Sequence, residues 1–195
     1  MKTKICVPVF EKTPEDVTES AMRAIEAGAD ILELRIDGLQ NPVEVDIQEL
    51  IEDIGFPVIA TNRSPAEGGH FSGGEDERIE LLMAAAEVAD FVDIELSSAR
   101  EDIERVTGGA RRSIVSYHNF RETPSLEALL RIVRMAREMG DIAKVAVMPE
   151  NLADTLVVLQ LLTFEDDTVA ISMGELGKYT RVAAALFGSP ITFAS

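Results

Sequence analysis

The chain has 195 residues, 46% of them hydrophobic, and a formal net charge of -17. That length and apolar fraction predict a single domain over residues 1–195 with a full-sized core, and they exclude disorder. No apolar run approaches the roughly 20 residues of a membrane helix, so a cytoplasmic protein is expected, and the acidic balance argues against nucleic acid or a membrane surface as partners.

Taken in chain order, short aliphatic segments alternate with amphipathic ones. The periodicity predicts strands near 4–9, 31–37, 57–63, 91–96, 112–118, 142–148, 168–173 and 191–194. Helices are predicted near 14–27, 43–53, 75–88, 98–107, 125–139, 151–164 and 178–187. Thr13-Pro14 and Thr123-Pro124 stand just ahead of helices, while Gly28, Gly55, Gly108 and Gly140 stand just after them, as helix starts and stops require. Unbroken alternation implies a parallel sheet covered by helices. Eight such units favour a closed, compact (β/α)₈ barrel, with no helix after strand 8, over an open doubly wound sheet. The long segment Ser64 to Gly74 carries four glycines and is expected to be a flap over the carboxyl ends of the strands. Cys6, alone of its kind, sits between Ile5 and Val7 and is expected to be a buried core thiol.

Alternation within the strands points to a polar interior. Glu33, Arg35 and Asp37 share one face of strand 2 against Leu32, Leu34 and Ile36, and Asp93 and Glu95 oppose Val92, Ile94 and Leu96 in strand 4. Thr61 and Arg63, Ser116 and His118, and Lys144 continue the polar phase in strands 3, 5 and 6. In a parallel barrel the aliphatic face meets the helices, so these groups must line the interior, and burying so many charges makes sense as a paired network or as a site. A Glu33–Arg35 pair could be structural, a single histidine is more often a satisfied core residue, and His70 in the glycine-rich loop is expected to be exposed without a role.

Lys144 is the hardest to dismiss. Adjacent strands lie about 4.8 Å apart, so a ligand attached to Lys144 would pass within reach of His118, an amine nucleophile beside a proton carrier. A free lysine has roughly one neutral molecule in 2,500 at pH 7. Arg35, Arg63 and burial would favour the neutral form, and Glu33, Asp93 and Glu95 would oppose it.

With these residues the chain resembles type I 3-dehydroquinate dehydratase, the Schiff-base enzyme of the shikimate pathway. The resemblance runs from strand 1 to strand 8 through Glu33-Leu34-Arg35-Ile36-Asp37, Thr61-Asn62-Arg63, Glu67-Gly68-Gly69, Asp93-Ile94-Glu95-Leu96, Ser116-Tyr117-His118-Asn119-Phe120, Lys144, Ser172-Met173-Gly174 with Gly177 and Arg181, and Phe187-Gly188-Ser189. It implies a hydro-lyase that turns 3-dehydroquinate into 3-dehydroshikimate through an imine on Lys144, with His118 as general base and acid. It further implies that Arg181 holds the substrate carboxylate, that Glu33, Arg35 and Arg63 fix its hydroxyls, that Glu67 sits on the closing flap, and that Asp93 and Glu95 orient His118 and the arginines. No cofactor and no metal are implied. The chain departs from relatives at Pro8, where many have serine, and at Ala194-Ser195, beyond which relatives continue into a Ser-Ala-Pro-Gly-Gln loop and a last helix. A homodimer covering the strand 8 and helix 7 surface is therefore expected.

Three other readings stay open on the residues. A class I aldolase on a small sugar-like substrate would also use a strand 6 lysine and should show a phosphate cradle after strands 7 and 8, for which Gly174 to Gly177 is a faint candidate. A metal-dependent isomerase or lyase would use Glu33, Asp93, Glu95 and His118 as ligands and lose activity on chelation. A binding barrel would keep the polar interior without turnover.

Overall fold

A computed structural model describes residues 3–194; Met1, Lys2 and Ser195 lie outside them. Eight strands alternate with seven helices along the described residues: β1 Lys4–Val9, α1 Pro14–Glu26, β2 Ile31–Arg35, α2 Ile47–Ile54, β3 Val58–Thr61, α3 Glu75–Ala86, β4 Phe91–Glu95, α4 Arg100–Gly109, β5 Ser113–Asn119, α5 Leu126–Arg137, β6 Ile142–Val147, α6 Leu152–Leu161, β7 Thr168–Ser172, α7 Gly174–Ala183 and β8 Ile191–Phe193. Every paired strand is parallel, and the order β7-β6-β5-β4-β3-β2-β1-β8 is that of a (β/α)₈ barrel. Among the described residues no helix is long and apolar enough to cross a membrane.

The helices form for local reasons and stay because one face of each is apolar. In α5, Ser125 caps the start by accepting from the Ala128 amide at 3.3 Å, and Leu129, Val133 and Ala136 recur on the buried face. These side chains meet the outward residues of the strands, such as Val115, Ala143 and Val145, in one continuous layer. Each fully buried aliphatic side chain there contributes about 1.5–3 kcal/mol. At the amino ends the odd strands are tied to the even ones by aspartates. Asp30, Asp90 and Asp141 stand just before β2, β4 and β6, and accept the amides of Ile5, Val58 and Ser113 at 2.9, 3.1 and 2.8 Å.

Four details differ from the sequence expectation. The barrel is not fully closed by hydrogen bonds: β8 pairs β1, but no ladder joins β8 to β7 among the described residues. Ile171 and Phe193 pack in the same inner cluster across that seam, so side chains close what the backbones leave open. β2 stops at Arg35 because Ile36–Gly38 turns as a 3₁₀ helix, which swings Asp37 off the strand. There Asp37 accepts the amides of Arg63 and His70 at 3.2 and 3.1 Å, tying the ends of β2 and β3 to the loop that follows. The segment 43–46 holds a 3₁₀ turn rather than helix, since Asp46 caps α2 by accepting from the Glu49 amide. Finally, α7 starts four residues before the expected 178; the glycines that mask it are needed, because a Cβ at Gly177 would collide with the Ser172 carbonyl.

Candidate active site

Alternation along each strand sorts the barrel interior into layers. Toward the amino ends the inward side chains are Cys6, Ile31, Ile59, Phe91, Ile114, Ile142, Val169 and Ile191, all buried and apolar, with the Cys6 thiol pushed well up by burial. Two residues further along β2 to β6 stand Glu33, Thr61, Asp93, Ser116 and Lys144, also buried. Above them, at the carboxyl ends, Arg35, Arg63, Glu95 and His118 open onto a cleft of about 270 Å³ or lie just beneath it; Arg181, Phe120 and Phe193 contribute to its wall. The site therefore lies at the end of the barrel where strand termini and loops supply chemistry.

Lys144 is 4% exposed. Its Nζ donates to Asp93 Oδ2 at 2.9 Å and Glu33 Oε1 at 3.1 Å, and it lies 4.1 Å from the centre of the Phe193 ring. Burial alone would lower its pKa, but the Asp93 and Glu33 carboxylates outweigh that and leave it raised, so the resting amine carries a proton. The question the sequence left open is thus decided in favour of the acids. Asp93 is the counterpart: burial would raise its pKa, yet Arg63 and Lys144 hold it far below the usual carboxylate range.

Arg63 is buried beside them. Its Nη2 donates to Asp93 Oδ1 at 2.8 Å, and its Nη1 donates to Glu95 Oε1 at 3.0 Å and Ser116 Oγ at 2.7 Å. Ser116 in turn donates to Asp93 Oδ1 at 2.6 Å. Arg35 faces outward from this network and grips Asp37 through Nε and Nη2 at 2.8 and 2.7 Å. Arg181 differs from both: it forms no ion pair among the described residues, its Nη1 reaches only the Phe193 carbonyl at 3.4 Å, and its Nε is buried without a partner. Among the described residues it is the cleft guanidinium without a carboxylate partner.

His118 sits on β5 two residues beyond Ser116, which is the register partner of Lys144 on β6. Its backbone amide and its Nδ1 both meet Glu67 Oε2, at 3.0 and 2.8 Å, and the other Glu67 oxygen accepts from Ser97 Oγ at 2.5 Å. Burial, reinforced by Arg63 and Lys144, drives the His118 pKa well below its ordinary value, so the ring is neutral and its contact with Glu67 is a hydrogen bond rather than an ion pair. Nδ1–H pointing at Glu67 leaves the Nε2 lone pair for the cleft. Burial also raises the Glu67 pKa. The ring of Phe120 stacks above His118 at 6.4 Å.

The structure brings Lys144, His118, Glu33, Arg35, Arg63, Arg181 and Glu67 around one cleft. Asp93 and Glu95 both accept from Arg63, but neither bonds the His118 ring, and Glu67 does. The loop 64–74 is folded down rather than free: Glu67 is buried, Gly69 packs so tightly on Arg63 that a Cβ would collide with its carbonyl, and Gly68 lies under Phe120. His70 is exposed, as expected, with its ring 5.3 Å from Phe10. Gly177 is spent on helix–strand contact, which removes it from any phosphate cradle. Among the described residues no three His, Cys, Asp or Glu side chains are grouped to hold a metal ion, and the four proposed ligands are engaged by Lys144, arginines or Glu67.

The sequence reading missed Arg78, Ser97 and the ring of Phe193. Arg78 in α3 is 1% exposed and donates to Glu95 Oε2 at 2.7 Å. In the run Glu75-Asp76-Glu77-Arg78 it passes for a surface charge; its spacing with Leu82, Ala85 and Ala86, all on the buried face, is the pattern that could have found it.

Comparison with known proteins agrees with this fold. The chain matches the family model for type I 3-dehydroquinase over residues 5–195. A 3-dehydroquinate dehydratase of Methanothermobacter thermautotrophicus is 92% identical over 195 residues, which cover 100% of this chain and 88% of that protein. The Methanobrevibacter smithii 3-dehydroquinate dehydratase is 50% identical over 194 residues, covering 100% and 87%. Among solved structures, the Clostridium difficile type I 3-dehydroquinate dehydratase with covalently modified comenic acid superposes with a TM-score of 0.91 at 30% identity, over 99% of this chain and 84% of that one. The Geobacillus kaustophilus 3-dehydroquinate dehydratase gives 0.90 at 33% identity, over 100% and 82%. By family model, overall identity and fold, then, this chain belongs to the type I 3-dehydroquinase family of hydro-lyases.

Proposed function

We propose that this chain dehydrates 3-dehydroquinate to 3-dehydroshikimate through an imine on Lys144, the third step of the shikimate pathway to chorismate and the aromatic amino acids. The observation that carries it is a buried lysine held between Asp93 and Glu33, next to a neutral histidine whose ring is fixed by Glu67. The solved relative with covalently modified comenic acid is in keeping with a site that bonds its ligands.

The amine must shed a proton before it adds to the substrate ketone, and two carboxylates already touch it. Loss of water then gives a protonated imine. The same carboxylates that keep Lys144 charged stabilise that cation, so the energy that opposes the first step supports the next. The cationic imine draws electrons from the neighbouring carbon, whose proton passes to His118 Nε2. The resulting enamine expels the hydroxyl, which leaves as water with the proton His118 returns. Hydrolysis of the imine frees Lys144 and the product.

Arg181 takes the substrate carboxylate with the donors that have no protein partner. Glu33, Arg35 and Arg63 face the hydroxyls, and Glu67 presents the correct His118 tautomer from the loop folded over the cleft. Asp93 and Glu95 fix Arg63. The chemistry asks for no cofactor or metal. The protein works in the cytoplasm as a single domain and as a homodimer, for which the exposed Leu176, Tyr179 and Val182 of α7, with Leu186 in the turn after it, supply an apolar surface.

Borohydride reduction during turnover of 3-dehydroquinate tests the imine. A reduced adduct on the Lys144 peptide is expected, and it is absent in Lys144→Ala. No adduct, together with wild-type turnover in Lys144→Ala, rejects the mechanism.

A further inference from the structure

Among the described residues, Arg78 is the one fully buried cation that the reaction does not use. It comes from helix α3 rather than from a strand, and its guanidinium is saturated. Nε and Nη2 donate to the two Glu75 oxygens at 2.8 and 2.7 Å, Nη2 also donates to Ser98 Oγ at 2.9 Å, and Nη1 donates to the Asn62 carbonyl at 2.8 Å and to Glu95 Oε2 at 2.7 Å. Those are five bonds from five N–H donors. Burying a charge so completely is costly without such partners, and the partner furthest inside is Glu95, itself 1% exposed.

Glu95 stands between two guanidinium groups. Its Oε1 accepts from Arg63 Nη1 and from the Ser64 amide, both at 3.0 Å, and its Oε2 accepts from Arg78. Arg63 then shares its other end with Asp93, and Asp93 holds Lys144. The charges alternate from helix to cleft: Arg78, Glu95, Arg63, Asp93, Lys144. Remove the first, and one buried oxygen of Glu95 has no donor. The carboxylate is then free to turn, and its whole charge falls on Arg63, which must also serve Asp93 and the substrate.

We propose that Arg78 is a positioning residue: by holding Glu95 it keeps the Arg63 guanidinium in the orientation that meets both Asp93 and the substrate. The inference rests on the dehydratase reading above. It also separates two jobs of one side chain, since the Glu75 and Ser98 bonds fasten the first turn of α3 and the Glu95 bond serves the cleft.

The test is steady-state kinetics with 3-dehydroquinate on the full chain and on Arg78→Met, Arg78→Lys, Glu75→Gln, Glu95→Gln and Arg78→Met with Glu95→Gln, each assayed below its melting temperature. Arg78→Met is expected to lower kcat/KM about 10–100-fold with a raised KM, within the range for a coupled buried charge. A mere loss of folded molecules would lower apparent kcat and leave KM alone. Arg78→Lys should fall between wild type and Arg78→Met, and Glu75→Gln should keep wild-type kinetics. The double variant should be no worse than Glu95→Gln, because the two residues act through one contact. If the unmodified chain does not turn over 3-dehydroquinate, the dehydratase reading fails. If it does, and folded Arg78→Met keeps wild-type KM and kcat, or its loss simply multiplies with that of Glu95→Gln, the positioning role is overturned. Should Arg78→Met not fold, Arg78→Lys decides: unchanged kcat/KM in that variant overturns the role.

Discussion

The two ends of the barrel interior are built from the same strands by opposite means. Ile31, Ile59, Phe91, Ile114 and Ile142 close the amino end with apolar volume, capped by Lys4 and Arg112 over the Phe91 ring at 5.9 and 4.9 Å. Two residues along the same five strands, Glu33, Thr61, Asp93, Ser116 and Lys144 fill equivalent positions with polar and charged groups, each matched to a partner. A one-residue slip would exchange interior and exterior, whereas a two-residue step only moves up a layer. The fold can therefore change chemistry from layer to layer while the outward face toward the helices stays aliphatic. The lower layer makes the upper one possible: a dry floor shields the ion pairs, and the charges keep their order because nothing below competes for them.

Substitutions at the two ends should consequently fail in different ways. Lys144→Ala removes the nucleophile and is expected to eliminate turnover, the largest effect on activity of any single change. His118→Ala should slow the proton steps about 10²–10⁴-fold while a reducible adduct on Lys144 remains detectable by mass spectrometry. Unchanged turnover in that variant would show that another group carries the proton. Phe91→Ala, at the other end, should cost about 3–5 kcal/mol of stability in urea unfolding and leave kcat and KM of the folded enzyme close to wild type. A Phe91→Ala enzyme that is fully stable but slow would mean that the floor takes part in the chemistry.

The sequence showed which strand faces point inward because strand alternation is local. Glu33 against Leu34, or Asp93 against Ile94, fixes which side chain is inside once the strands are known to be parallel. It did not show how the polar residues choose partners, because pairing depends on the three-dimensional register and on loops. Glu67 reaches His118 only because the 3₁₀ turn Pro65–Glu67 folds the loop back over β5. Asp37 lay on the strand by pattern, and left it for two backbone amides that no periodicity records. The Lys144 proton was a balance of opposing charges until distances to Asp93 and Glu33 decided it. The incomplete closure between β7 and β8 was equally invisible, since a three-residue strand satisfies the alternation whether or not its second edge pairs.

The smallest expected difference between the two ends lies in how stability follows pH. His118 has a folded pKa well below 6.5, through burial and then Arg63 and Lys144, so as pH falls the unfolded chain takes up that proton first. Its contribution to stability is present above about pH 6.5 and is lost as pH falls toward the folded value, by up to ~1.4 kcal/mol per pH unit. The raised Glu67 pKa acts in the opposite sense, since the folded chain there takes its proton first, but Glu67 is common to wild type and a His118→Asn variant. Urea unfolding between about pH 5.5 and 7.5 should thus give a flatter profile for His118→Asn than for wild type. Ile114→Val, on the same strand in the apolar layer, should lower the whole profile by about 0.5–1.5 kcal/mol and leave its slope intact. A His118→Asn profile parallel to wild type would mean that the imidazole is not buried in its neutral form, and the upper layer would then owe nothing to titration at that position.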